Sequence, residues 1–335
     1  MVGRKARVCL LALFTGVISA DESLPTVATA PFAVSNTNPF ILIHGLPAIE
    51  EALVLEAGST SFQFQLDITN NSITSLSGSE SVTLDGETYR ARLIWKRGLG
   101  NGWQVGAELP LVSHQNGVMD NFIEGWHDLY GLSNSDRDPW PKNRLLYRYE
   151  RDGSTLNEVS NNTSGVGDLR LLASKQLSQT PSGNVMTLHA GLKLPTGEAD
   201  RLQGSGAADL AVWVSGAAPA IWPDQRIGGY AQAGLLAMGE SDVLSALQRD
   251  WVWFGGFGIH WEAFDWLILK SQLDLHDAFY RSDLDQLGRR SSLLTVGGTI
   301  PMDQGRSAFD LAIGENLATD ATPDFMINLA YRKRF

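Results

Sequence analysis

Histidine, serine and carboxylate side chains are the groups through which this sequence could do acid–base, nucleophilic or metal chemistry. Six histidines are present: His44, His114, His127, His189, His260 and His276. A lipid- or ester-hydrolysing site needs a serine beside a histidine, and a third polar group to orient the ring. By strand parity, His189, His260 and His276 point away from the apolar face of their segments. No histidine lies two residues before a serine on an apolar face, so a hydrolase site is not assembled. His127-Asp128, followed by Asp136 and Asp138, is the one cluster suggestive of a cation. Its spacing fits no zinc or calcium ligand pattern, and loop carboxylates are normally just solvated. Neither a metal nor a cofactor is expected, and the protein reads as a non-enzyme.

A second set of charges has a different character. Arg90, Arg92, Lys96, Glu108, Asp168, Arg170, His189, Lys193, Lys270, Asp274, His276, Asp310, Arg332 and Arg334 fall at every second position of segments whose other positions are apolar. Side chains at alternate positions of a strand share a face. Such a set lines one wet surface opposite a greasy one.

The elements that must hold these residues are strands. The last twelve residues show the pattern: Phe325, Ile327, Leu329 and Tyr331 alternate with Met326, Asn328, Ala330 and Arg332, and the chain stops at Phe335. Phe62, Phe64, Leu66 and Ile68 alternate with Gln63, Gln65 and Asp67. Trp251, Trp253, Phe257, Ile259 and Trp261 all fall at odd positions. Twelve such segments can be counted, each of roughly 9–13 residues, the length of a tilted membrane-spanning strand. Their connections alternate: short after strands 2, 4, 6, 8 and 10, longer and more polar after the others. Bacterial outer-membrane barrels have an even strand count, short periplasmic turns and long extracellular loops.

Residues 1–20 read as a secretory signal, with Arg4, Lys5 and Arg7 before an apolar run and Ser19-Ala20 at its end. Cys9, the only cysteine, lies within it. Without these residues, 23 basic side chains face 37 acidic ones, a net charge of about −14 that argues against nucleic-acid binding. Mean hydropathy is −0.09, and no apolar run is long enough for a spanning helix.

The sequence therefore predicts an all-β protein: a single transmembrane antiparallel up-and-down barrel of about twelve strands, residues 59–335. Residues 21–58 form an N-terminal extension or a small plug, and residues 114–164 a long extracellular loop. In lipid a sheet cannot leave an open edge, so the last strand should pair with the first. If Gly98 faces Gly102, Arg92 faces Glu108 as a cross-strand ion pair in the lumen; the same reasoning sets Asp310 near Arg332. The polar stretch 70–86 reads as a connection. Trp95, Trp103 and Trp261 should mark one interface and Trp251 and Trp253 the other, with Trp266 capping the lumen mouth. Within 114–164, Val118, Phe122, Ile123, Trp126, Leu129 and Tyr130 recur at helical spacing. That loop could fold inward, with Trp126, His127, Asp128, Arg137 and Arg144 forming a constriction, or cap the barrel.

The terminal aromatic on an alternating strand resembles the C-terminal signal of Gram-negative outer-membrane barrels, although Lys333 departs from it. The resemblance implies outer-membrane lipid as surroundings and recognition by the barrel-assembly machinery. The signal peptide, Asn38-Pro39-Phe40, Gly45-Leu46-Pro47, His127-Asp128-Leu129-Tyr130-Gly131-Leu132, Gly165-Val166-Gly167-Asp168 and the Trp-rich strand together resemble an uncharacterised family of proteobacterial outer-membrane barrel-like proteins, a domain of unknown function. Gly191-Leu192-Lys193-Leu194-Pro195-Thr196-Gly197 also resembles a strand of meta-pathway phenol-degradation transporter barrels. The first of these two families implies no established activity; the second implies uptake of a small, hydrophobic or aromatic solute, and the barrel reading makes passive uptake through an outer-membrane channel or transporter the leading expectation. The competing expectations are a non-conducting structural barrel and, third, a lipid-hydrolysing enzyme.

Overall fold

The computed structural model describes residues 27–117, 143–317, 321–323 and 325–335. The alternating segments form strands β1 (Thr60–Ser77), β2 (Glu80–Gly100), β3 (Trp103–Gln115), β4 (Leu146–Arg151), β5 (Ser154–Val159), β6 (Thr163–Val166), β7 (Arg170–Gln179) and β8 (Val185–Lys193). They continue as β9 (Asp209–Trp222), β10 (Ile227–Met238), β11 (Trp251–Phe264), β12 (Leu267–His276), β13 (Ser291–Met302), β14 (Ser307–Asn316) and β15 (Phe325–Arg334). Each barrel strand pairs antiparallel with its neighbours, and β15 pairs with β1, setting Phe64 beside Tyr331 and Asp67 beside Asn328. Twelve strands thus close into a barrel, as the alternation predicts.

The three remaining strands sit at the end with the long connections. β4 pairs with the outer part of β2 and with β5, forming a hairpin beyond the wall. β6 and β7 both pair with β3, so they are two pieces of one wall strand interrupted at Gly167-Asp168-Leu169. Two expectations change here. The polar stretch 70–86 is not a loop: β1 and β2 continue through it to a two-residue turn at Gly78-Ser79. Residues 143–164 are strand-rich rather than loop; cross-strand ladders satisfy polar backbone outside lipid as well as inside it.

The face assignments follow period two. Phe62, Phe64, Leu93, Leu109, Leu111, Leu171, Leu188, Val212, Leu235, Phe257, Ile259, Val296 and Leu311 are exposed on the outer surface. A charge on such a face costs about 2–4 kcal/mol at the bilayer midplane, which explains their uniform character. Exposed Trp103, Trp222 and Trp261 gather near the short turns, and Trp251 near the long connections. Trp266 is different from expectation. It does not cap the lumen but stacks on Phe264 at the exposed β11–β12 turn, ring centroids 5.7 Å apart.

The lumen holds residues 27–55. The segment enters through a 3-10 turn at Val27–Thr29 and runs past Phe32 and Val34. At its far end it makes one helical turn, α1 (Pro39–Leu42). Asn38 caps that turn by accepting from the Phe40 amide at 3.0 Å, and Pro39 supplies the fixed φ suited to a first helical position. The chain then reverses through Gly45-Leu46-Pro47 and returns to Leu55. Thr37, Phe40, His44 and most of their neighbours are fully buried.

Candidate functional site

A segment without regular structure, buried inside a barrel, must satisfy its backbone polar groups on the wall. The wall provides glutamines for this. Gln272 accepts from the Phe32 amide (3.1 Å) and donates to the Phe32 carbonyl (3.0 Å), imitating a strand partner. Gln232 treats the returning limb alike, accepting from Glu50 N and donating to the Ala48 carbonyl, both at 3.0 Å. Gln65 donates to the Ala33 carbonyl at 2.8 Å, and Gln104 accepts from Leu55 N at 2.9 Å. Cations cover further carbonyls: Lys270 that of Ala30 (2.6 Å), Arg332 that of Pro31 (3.2 Å), and Arg170 those of His44 and Leu46 (3.0 Å each).

Many of the charges on the inward faces are buried together in three groups. Asp67 is fully buried between Arg90 (3.0 Å) and Arg92 (3.4 Å), with the Asn328 amide at 2.6 Å. Glu108 faces Arg92 at 3.6 Å and Arg170 at 3.7 Å. The Arg92–Glu108 pair forms, but through a different register: Arg92 stands opposite Pro110 and Glu108 opposite Ile94, so the contact is diagonal. A bulge at Leu99 and a turn at Asn101-Gly102 shift the hairpin by two residues. In the second group Lys193 reaches Asp168 (2.5 Å), Ser205 Oγ (2.6 Å) and Asp209 (3.4 Å). Asp168 also accepts from Thr196 N (3.0 Å) and Gly197 N (2.8 Å), so the Gly-Val-Gly-Asp and Pro-Thr-Gly motifs brace the break between β6 and β7. In the third, Asp310 pairs with Arg332 and with Lys270 at 3.5 Å.

Two wall cations meet carboxylates of the plug instead: Lys96 pairs with Glu50 and Arg334 with Glu51. His189 lies between Ser174 Oγ (2.8 Å) and Ser215 Oγ (2.7 Å) and stacks on Trp213, with a hydroxyl on each side and no carboxylate to orient it. His276 bonds Asn36 of the plug at 2.9 Å, and Asp274 accepts from Gln272 at 2.8 Å. Arg144 lies outside this set, paired with Asp85 at 2.6 Å beside the β4 hairpin. Trp126, His127, Asp128 and Arg137 lie outside the described residues. Among the described residues no group of three or more potential ligands is arranged to hold a metal.

Sequence parity missed Gln65, Gln104, Gln232 and Gln272 because only charges were followed. It also left Asp67 and Asp209 out of the lumen set. All six obey the same alternation, so extending the rule to amides and strand ends would have found them.

The two ends of the plug differ in what surrounds them. Around α1, Phe40, Ile41 and Ile43 pack against Phe279, Tyr280, Leu284 and Leu287 of the β12–β13 connection and Val243, Leu244 and Leu247 of the β10–β11 connection. Tyr280 donates to the Phe40 carbonyl at 2.7 Å and contacts His44 Nε2 at 2.8 Å. Toward the short turns the plug leaves a cavity of about 60 Å³, bordered by Arg92, Lys96, Glu108, Arg170, Trp213 and Arg332. A water needs about 10–15 Å³ of such space, so a few waters fit and a solute stream does not.

A closed, even-stranded barrel with an apolar exterior, a charged interior and an internal plug is the architecture of outer-membrane β-barrels. The chain belongs to the family described as protein of unknown function DUF3187, which matches residues 8–335. Among solved structures it is similar to the COG4313 outer membrane channel from Pseudomonas putida F1, at TM-score 0.56 and 13% identity over 85% of this chain and 98% of that one. It is also similar to the KdgM porin, at TM-score 0.44 and 8% identity over 82% and 99%. No curated protein matches the sequence.

Proposed function

We propose that the protein is an outer-membrane channel for a small solute, closed by its own N-terminal segment. The carrying observation is how that segment is held. From Ala30 to Phe32 and from Glu50 to Leu55 its polar anchors are side-chain-to-backbone hydrogen bonds and ion pairs, with Phe32 the one side chain of the first stretch in an apolar cluster, beside Leu293, Ala312 and Met326. Water can replace each of these polar contacts at little net cost, because a typical intramolecular hydrogen bond is worth only about 0.5–1.5 kcal/mol. A wall that stays favourable when wet is what a conducting state needs. The apolar exterior suits lipid, and the parity of long and short connections suits an outer membrane with the plug entering from the periplasmic side. The likeness of Gly191–Gly197 to phenol-pathway barrels supports an aromatic solute, whereas the charges around the cavity support a polar one.

The non-conducting reading is favoured by one feature, the apolar seal around α1. Planar-bilayer recording separates the two. The intact chain should be silent or open rarely, and a variant lacking residues 27–58 should conduct steadily while retaining heat-modifiable gel migration. A folded but silent deletion variant would favour the structural barrel.

A further inference from the structure

The charges beside the cavity are unevenly supplied. Of the residues lining it, the wall contributes Arg92, Lys96, Arg170, Lys193 and Arg332 but a single carboxylate, Glu108. Carboxylates behind the lining answer some of these cations: Asp67 serves Arg92, Asp168 and Asp209 serve Lys193, and Asp310 serves Arg332. Lys96, and Arg334 just outside the lining, have no such partner on the wall. Among the described residues, their only carboxylates are Glu50 and Glu51 of the plug. When the plug leaves, these two cations lose their counter-charges together.

Unfilled donors mark the same place. Arg92 Nε, Arg170 Nε, Arg332 Nε and Trp213 Nε1 are buried without a hydrogen-bond partner, and all four residues border the cavity. Against them stands one unfilled acceptor, Glu108 Oε1. Buried donors left open are costly, and a ligand rich in acceptor oxygens would satisfy them.

We infer that Glu50 and Glu51 occupy, in the closed state, a site for small anions, and that the opened lumen passes anions in preference to cations. The inference rests on the gated-channel reading and names its solute class. The plug's two adjacent carboxylates act as a tethered competitor: they neutralise Lys96 and Arg334 while the lumen is shut and expose them when it opens. An exposed pair of cations in a narrow, low-dielectric passage raises the local concentration of anions.

The test uses the full-length chain in planar bilayers under a potassium chloride gradient. Glu50→Gln/Glu51→Gln keeps the shape of both side chains and removes both charges. It should open more often than the parent, on the order of tenfold, as expected for the loss of one or two partly buried ion pairs. Its reversal potential should show chloride more permeant than potassium, and adding Lys96→Gln/Arg334→Gln should bring the ratio to one or below. Openings that are unselective or favour potassium would overturn the inference while leaving a channel. A double variant that stays shut while the deletion variant conducts would overturn the role given to the two carboxylates. Silence of both, with heat-modifiable migration intact, would instead remove the channel reading beneath it.

Discussion

The two halves of the lumen hold the same segment by different physics. Near the long connections, α1 sits in a core of aromatic and aliphatic side chains that exclude water. Near the short turns, the limbs of the plug rest mainly on amides, guanidiniums and carboxylates around a small wet cavity, with a minor apolar contact of Val27 and Ala28 on Ile268 and Ala308. Apolar burial is worth about 25 cal/mol per Å² and has no substitute in water, whereas each polar contact has one. On the gated-channel reading, the first half therefore stays at neutral pH and leaves its seat only in acid, while the second half lets go more readily. A plug with one durable end and one exchangeable end can clear a path without leaving the barrel.

The largest expected effect lies in the wall beneath both halves. Asp67→Ala strands Arg90 in a buried position and leaves Arg92 only Glu108 among the described residues, and removing one partner of a buried ion pair costs about 3–5 kcal/mol. Barrel unfolding, followed by loss of heat-modifiable migration, should shift sharply toward lower temperature. Gly256→Val tests the polar half. A Cβ at Gly256 would lie 2.7 Å from Ile49 Cδ1 of the returning limb and from the Leu273 carbonyl. Overpacking of this kind costs about 1–3 kcal/mol, shared between the limb at Ile49 and the wall at Leu273, so channel opening should rise while barrel stability falls by less than that cost. An equal loss of both would blur the contrast between the halves.

Tyr280→Phe probes the apolar half through one of its polar ties, since it leaves the Phe40 carbonyl and His44 without their hydroxyl. The cost is about 1–3 kcal/mol, read as faster proteolysis near α1, with the lumen still shut at neutral pH.

Acid gives the smallest effect when taken one pH unit at a time. His44 and Glu51 belong to the plug and not to a spanning strand. Burial, with Lys193 nearby, lowers the His44 pKa from 6.5 to about 3. Its imidazole faces the Tyr280 hydroxyl and, at 3.9 Å, Asp209. Seating of the plug is thus undiminished above pH 6.5 and weakens as pH falls from 6.5 toward 3, because the released histidine takes up a proton that the seated one refuses. Burial alone would raise the Glu51 carboxyl, but Arg334, Lys96 and Arg332 hold it below its usual range. Its contribution is present above about pH 4.5 and fades below. Opening should rise on acidification by no more than about tenfold per pH unit for the histidine proton, and His44→Gln should flatten the part between pH 6.5 and 4.5.

Much of this was legible in the chain. Lipid outside and water or plug inside impose period two on every wall strand, so Phe62, Trp251 and Leu311 declare their side and so do Arg90, Lys270 and Arg332. The closure of β15 on β1 followed from the absence of water in lipid. The register of the second hairpin was only half legible: Asn101-Gly102, with φ of 51° and 70°, is the signature of a tight hairpin turn, but nothing local announces the bulge at Leu99. The plug was legible as a turn-rich segment and no further. Its residues are enclosed on all sides and pair with scattered side chains rather than with a ladder, so no period arises. Gln232 and Gln272 read as ordinary lumen residues until the backbone they hold is seen.

The central claim is that residues 27–55 sit inside the barrel and close it. Thr37 Oγ1 of the plug lies 2.8 Å from Thr69 Oγ1 of β1. In a background lacking Cys9, Thr37→Cys/Thr69→Cys should form a disulfide in the membrane and suppress the openings that acid elicits in bilayers, and reduction should restore them. Failure of the bond to form, or conductance unaffected by forming and breaking it, would contradict the account.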